Sequence, residues 1–238
     1  MAGRFKEFVQ MITAPMVSVN LMNGNVCGKD AFYERITREF YREAVRRHPK
    51  LPLIRRLQYG VALCPLPAGF DEYFMMVEAA ARRNFKKAQR NGYDVKRINY
   101  NDHLVDIRGI RASTKVRQGV MSAEFLEGKV TPCFNPPPVA MSHDYPYFGT
   151  LKDGCLVAYS GVLVAGELAM IEHIYGHAAY QADGVVPMLI IGMAEYIKKH
   201  YPSVRYYGYG SYFGAGETMR RFKRKFCFTP NRVKWVLG

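Results

Sequence analysis

The chain has 238 residues and a formal net charge of +14, with 49% hydrophobic and 13% aromatic residues. That composition fits a soluble, globular, aromatic-rich protein with a sizeable core, as one large domain or two small ones, and no repeat or low-complexity segment argues otherwise. No uninterrupted apolar stretch approaches the roughly 20 residues of a membrane span, and the start MAGRFKEFVQMITAP lacks a secretory apolar region, so the expectation is a cytoplasmic protein. Cys27, Cys64, Cys133, Cys155 and Cys227 are scattered, with no C-x-x-C pair. They signal neither a disulfide frame nor a zinc site, and no metal is expected.

In chain order, residues 1–66 read as an N-terminal accessory segment closing on the turn-rich CPLPAG, and residues 67–238 as the main domain. Within the first part, DAFYERITREFYREAVRR mixes charges at helical spacing, the pattern of a salt-bridge-laced outer helix. RRNFKKAQRNGY then places five cations within positions 82–90. Read as a helix, Arg82, Lys86 and Arg90 align with Arg83 and Lys87 beside them, while Phe74, Val77, Ala81, Phe85 and Ala88 form the opposite face. Gly92 supplies a left-handed stop. Seven cations against one carboxylate fall in residues 82–97, and seven against none in residues 220–234. Two such blocks flanking a near-neutral body suggest a polyanionic partner: coenzyme A phosphates, an acidic carrier protein or RNA. A solvated face is the bland alternative.

Tyr93–Ile98 reads as a strand and Asp102–Ser113 as a helix, whereas the prolines of FNPPPVAMSHDYPYFG fix a loop or lid over residues 134–149. The period then changes. Tyr147–Leu151, Leu156–Val164 and Leu168–Gly176, separated by turns at Lys152-Asp153-Gly154 and Ala165-Gly166-Glu167, make an antiparallel meander. Pro187 suits the first turn of an apolar helix spanning Met188–Ile197, whose unpaired N–H groups offer a phosphate site. Arg205–Tyr209 (strand), Gly210–Gly216 (loop), Glu217–Lys225 (basic helix) and Phe226–Val236 (strand) complete the chain. The fold class is α/β of the α+β kind: a mixed, mostly antiparallel sheet flanked by helices.

Over roughly residues 70–238 the sequence resembles the GNAT superfamily of acyltransferases, in the branch of the Fem-type aminoacyl-tRNA-dependent peptidyltransferases. RRNFKKAQRNGYDVK is similar to the R-x-x-x-(K/R)-(K/R)-A-x-(K/R)-x-G-(V/Y) signature of that branch, and MRRFKRKFCFTP to its closing fKrkfG segment. The order meander, loop, buried helix, strand matches the superfamily core. Gln181-Ala182-Asp183-Gly184-Val185-Val186 keeps the Gln and first Gly of the acyl-CoA loop (Q/R)-x-x-G-x-(G/A), with Val in the place of the second small residue.

The resemblance implies direct transfer of an acyl or aminoacyl group to an amine acceptor, with acyl-CoA, an acyl carrier protein or an aminoacyl-tRNA as donor. It places the donor in a splay between Leu168–Gly176 and Arg205–Tyr209. Backbone groups of Ile174, Tyr175 and Gly176 would hold its carbonyl, and Gln181, Asp183, Gly184, Val185 and Val186 its phosphates. Glu172 is the first choice for the base, or else a carboxylate paired with an Arg on a neighbouring helix. Strand alternation puts Glu172 and His173 on opposite faces. His173 and His177 either act chemically or satisfy backbone carbonyls at a strand end. Tyr212 is a candidate general acid, and Tyr206, Tyr207 and Tyr209 read as packing. Arg82, Arg83, Lys86, Lys87, Arg90, Arg221, Lys223 and Arg224 form the polyanion-binding set. A basic RNA-binding module using exposed tyrosines is the non-enzymatic alternative.

Overall fold

A computed structural model of the chain describes residues 9–24, 30–49, 51–117 and 119–238; Cys27 lies outside the described residues, as do the side chains of residues 51–53. The strands are β1 (Met16–Asn20), β2 (Arg47–His48), β3 (Leu51–Arg55), β4 (Val61–Pro65), β5 (Asp94–Ile98), β6 (His143–Asp144), β7 (Tyr147–Lys152), β8 (Cys155–Ala165), β9 (Leu168–Gly176), β10 (Tyr206–Ser211) and β11 (Thr229–Val236). Nine of them form one sheet in the order β1-β11-β4-β10-β9-β8-β7-β5, with β6 pairing β8 off this path, and β2-β3 is a separate pair. β1/β11 and β9/β10 are parallel, and the other pairs are antiparallel.

The meander is the sheet's centre, and its turn chemistry fixes its register. Asp153 and Gly154 both take positive φ, 51° and 81°, as a tight hairpin turn between β7 and β8 requires. β4 lies between β10 and β11, and β1 extends the sheet at its far edge.

The helices are α1 (Ala31–Val45), α2 (Phe70–Met76), α3 (Ala79–Arg90), α4 (Leu104–Ala112), α5 (Ala123–Glu127), α6 (Val185–His200) and α7 (Glu217–Arg224). They cover both faces. α2, α3, α6 and α7 close one core with Val157, Val162, Ala169 and Ile171 of the sheet. On the other face, α1 packs Ile36 and Phe40 onto a cluster with Leu163, Met170 and Trp235, while Ile107 and Ile110 of α4 pack with Leu156 and Tyr159. α6 is buried along most of its length, so truncating Ile190 to Ala would cost about 2–5 kcal/mol. As the mixed-charge pattern predicts, α1 carries Arg38–Glu34 at 2.7 Å and Arg35–Glu39 at 3.6 Å, exposed pairs of small individual worth.

Two expected elements end elsewhere. The helix carrying Phe74 and Ala88 on one face is broken at Val77 and Glu78, both extended, because the Glu78 N–H donates to the Lys225 carbonyl at 2.8 Å instead of continuing a helix. The last strand begins at Thr229 rather than Phe226. Phe228 N–H bonds the Lys223 carbonyl and Cys227 N–H the Arg224 carbonyl, closing α7 in a Schellman motif with Cys227 at φ 65° where glycine is usual.

Candidate active site

β9 and β10 pair only at Leu168–Tyr206, Ala169–Tyr207 and Met170–Gly208. Beyond Met170 that edge of β9 has no strand partner among the described residues, and a splay opens. On its other edge the register with β8 slips: Val162 faces Ile171 but Gly161 faces His173, so Glu172 is the extra residue of a β-bulge. The bulge reverses the strand's parity. Ala169 and Ile171 face the α3/α6 core before it, and Ile174 packs on that same core after it. Glu172 and His173 consequently share the opposite face, which corrects the expectation from strict alternation.

On that face the Tyr145 hydroxyl donates to Glu172 Oε2 at 2.9 Å. No described Arg or Lys pairs with Glu172, so the ion-pair alternative is not what holds it. Glu172 is exposed at its edge, and the surrounding protein partly dehydrates its carboxylate and raises its pKa, an effect offset in part by the Tyr145 bond. His173 lies against Tyr175 (ring centroids 5.8 Å), Tyr159 (5.7 Å) and Tyr147 (6.0 Å). Burial, with Arg111 nearby, lowers its pKa to about 4, so it is neutral at pH 7. Gly161 makes this assembly possible: a Cβ there would sit 2.5 Å from His173 Cε1 and 2.9 Å from the Tyr145 hydroxyl. Tyr145 and Tyr147 also floor a recess of about 200 Å³ whose other walls include Phe32, Ile36 and Phe134.

On the α3/α6 face a cleft of about 400 Å³ lies at the splay. Of the expected donor residues, Ile174, Gly176, Gln181 and Val186 line it, joined by Arg117 and Tyr209. A Cβ at Gly176 would meet Val186 Cγ2 at 2.6 Å, so glycine here makes room for the Val that departs from the usual loop pattern. Gly184, with φ 80°, starts α6 at Val185. Arg117 spans the end of β9: its Nη1 donates to the Gly176 carbonyl at 3.0 Å, and its guanidinium lies over the Tyr175 ring at 5.4 Å.

Several expected side chains are engaged otherwise. Asp183 accepts from the Tyr93 hydroxyl at 2.8 Å and lies 3.7 Å from Lys87 Nζ, fastening the loop to α3. The Tyr175 ring stacks on His173, away from the cleft. His177 caps the turn that follows it, its Nδ1 accepting from the Ala179 N–H at 3.3 Å. Tyr212 is buried, its N–H bonded to the Gly60 carbonyl at 2.7 Å, and it is Tyr209 that reaches the cleft.

The cationic set divides in the same way. Arg83, Lys86 and Arg90 of α3 and Arg221 and Arg224 of α7 are exposed. Lys87 donates to the Ala182 carbonyl at 2.9 Å and Arg82 Nη1 lies 3.1 Å from Met75 Sδ. Lys223 is not a surface cation at all. It is buried, donates to the Tyr209 and Ser211 carbonyls at 2.6 and 2.7 Å, and burial brings its pKa down to about 8. Tyr145, Tyr147 and Arg117 were missed by sequence reasoning. The first two close a proline-rich loop and the third stands in an irregular segment, and neither setting has a period that marks a side chain.

Among the described residues no helix is long and apolar enough to cross a membrane, and no group of three or more His, Cys, Asp or Glu is placed to hold a metal ion. No family model and no curated protein matches the chain. The sheet, mixed and mostly antiparallel with helices on both faces, has a GNAT-like α/β fold. Among solved structures, FemX overlaps it with a TM-score of 0.56 at 9% identity, over 72% of this chain and 59% of that one. A C-terminal DUF2156 domain from Agrobacterium fabrum, described as that of a lysylphosphatidylglycerol synthetase, overlaps at 0.46 and 16% identity, over 71% of this chain and 56% of that one. A tandem GNAT protein of clavulanic acid biosynthesis overlaps at 0.41 and 15%, over 59% and 43%. The chain thus spans little more than half the length of the first two. The FemX overlap supports a shared fold; the other two, below 0.5, support nothing further.

Proposed function

We propose that the chain is an N-acyltransferase of the direct-attack kind, in which donor and amine meet across β9. The observation that carries this reading is the bulge at Glu172. It leaves Ile174 and Gly176 on the donor cleft and turns Glu172 and His173 to the other face, beside the splay between β9 and β10. An acyl carbonyl entering the splay from the α3/α6 side would lie along the unpaired edge of β9, where fixed backbone donors stabilise a developing oxyanion. Glu172, held by the Tyr145 hydroxyl, takes a proton from the bound ammonium, and the freed amine attacks the acyl carbon. Collapse of the oxyanion breaks the donor's C–S or C–O bond, the departing thiol or hydroxyl taking up the proton the new amide loses. His173 is neutral and packs among tyrosines, which suits it less as the base.

The acyl group is carried on a polyanion. The exposed cations of α3 and α7 stand on two helices that contribute residues to the donor cleft, which favours an aminoacyl-tRNA or an acyl carrier protein over acetyl-CoA, whose few phosphates need fewer cations. Val185 and Val186 supply the first N–H groups of α6 for a phosphate, since Pro187 has none. The RNA-binding alternative needs tyrosines on the surface, whereas Tyr33, Tyr73, Tyr159, Tyr201 and Tyr207 are buried. A panel of aminoacyl-tRNAs, acyl carriers and acyl-CoAs, assayed with mixed amines by mass spectrometry, tests the reading. Amide formation from at least one donor is expected, and its absence with all three classes overturns it.

A further inference from the structure

We infer that the acceptor is a primary amine carried on an uncharged aromatic body; this rests on the acyl-transfer reading. The recess beside Glu172 is lined by Phe32, Ile36, Cys133, Phe134, Tyr145, Tyr147 and Asn135, whose amide is already bonded to the Tyr33 hydroxyl and the Tyr145 carbonyl. Tyr145 joins the two ends of the site, because its ring belongs to the recess and its hydroxyl to the Glu172 carboxylate. An amine at that carboxylate lies beside Tyr145, so its substituent is directed along that side chain toward the recess. The volume is about 200 Å³. A cavity of about 150 Å³ accepts benzene, so the space suits a phenyl ring with a short arm.

The walls select the chemistry of that body. Phe32 and Phe134 meet edge to face at 5.3 Å, and Phe134 is 78% exposed, an aromatic ring held at the rim of a concave surface with no described residue covering it. A ring entering the recess would gain the offset and edge contacts that aromatic groups prefer. No Lys or Arg lines the recess. Arg35, which lies over the Phe32 ring at 5.7 Å, is an exposed residue paired with Glu39. A carboxylate or phosphate on the acceptor would lack a counter-ion there and would face Glu172, whereas an ammonium is attracted by the carboxylate.

Calorimetric titration of the full chain with phenethylamine, ethanolamine and phenylalanine, without any donor, tests this directly. Phenethylamine should bind at least tenfold more tightly than the other two. Phe134→Ala, a change at an exposed position, should weaken phenethylamine about tenfold and ethanolamine less than twofold, with an unchanged melting temperature confirming the fold. Equal binding of ethanolamine, equal binding of phenylalanine, or an unaltered affinity in Phe134→Ala overturns the inference. Transfer assays separate this outcome from the parent reading. Acylation of polar amines alone would sink the aromatic acceptor and keep the transferase, whereas selective phenethylamine binding with no acylation from any donor would sink the transferase, and the acceptor role with it, leaving only an amine-binding recess.

Discussion

The Tyr145 hydroxyl and the Glu172 carboxylate, 2.9 Å apart, join two segments far apart in sequence: the end of a proline-rich loop and the bulge of β9. The bond holds the carboxylate where an amine can reach it. Glu172→Gln keeps the shape and removes the base, so turnover should fall by about 10² to 10⁴ with donor affinity unchanged. Tyr145→Phe should lower turnover less. A Glu172→Gln protein with full turnover would remove Glu172 from the mechanism.

Gly161 offers an independent check on the same assembly. Gly161→Ala adds a methyl group 2.5 Å from His173 Cε1 and 2.9 Å from the Tyr145 hydroxyl, both on side chains that can move. The fold should survive, and the displaced Tyr145 should release Glu172. Turnover is expected to drop without loss of the folded circular-dichroism spectrum, and the Tyr145→Phe change should then add little further, since both act on the same hydrogen bond.

The pH dependence has two signatures of different origin. Turnover should rise with pH through a pKa above the ordinary carboxylate range, because Glu172 must be ionised to accept a proton and dehydration raises its pKa. Stability should also rise with pH, for another reason. Unfolded, His173 takes its proton near pH 6.5, but in the native state only near pH 4. Between those values the unfolded chain binds more protons, so stability is lost as pH falls through the window, at up to about 1.4 kcal/mol per pH unit. His143, buried and with a lowered pKa, acts in the same direction. Glu172 and Asp144, whose pKa values are raised in the native state, act in the opposite direction, so the histidine contribution is read from the difference: in urea melts at pH 4.5 and 7, His173→Gln should lose less stability than wild type on acidification.

Charge removal should separate the buried cation from the exposed ones. Replacing Arg83, Lys86 and Arg90 with Gln should leave the melting temperature alone and weaken binding of an aminoacyl-tRNA, with a slope of log K against log salt smaller by about 0.7–0.9 for each phosphate that is no longer neutralised. Lys223→Met should do the opposite. It strands the Tyr209 and Ser211 carbonyls at the end of β10, at about 1–3 kcal/mol for each acceptor left unsatisfied. Equal salt slopes for wild type and the triple variant would assign α3's cations to solvation.

The meander, the buried α6 and the basic α3 were legible in the sequence because each has a period, a turn or a stop of its own. The site was legible in part. Ile174, Gly176, Gln181 and Val186 reach the cleft, since a strand and the loop after it determine their positions. The parity of Glu172 and His173 was not legible, because a bulge depends on the register of a partner strand. Lys223 and Lys87 looked like members of a cationic surface, but their direction is set by carbonyls that only the folded chain brings near: Ser211 and Tyr209 for one, Ala182 for the other. The place of β4 was hidden for the same reason, as nothing in VALCP names its neighbours.

The insertion of β4 between β10 and β11 sets an order of events during synthesis. Both strands that flank β4 are made more than a hundred residues after it, and among the described strands β1 pairs β11 alone. As the chain leaves the ribosome, these early strands wait with unmatched edges while β5 to β9 can already assemble. Long-range pairing of this kind is slow and leaves an intermediate prone to aggregate. A chain cut back to start at residue 67 should therefore expose facing edges of β10 and β11 and collect in inclusion bodies. Supplying residues 1–66 as a separate peptide during refolding should restore soluble material.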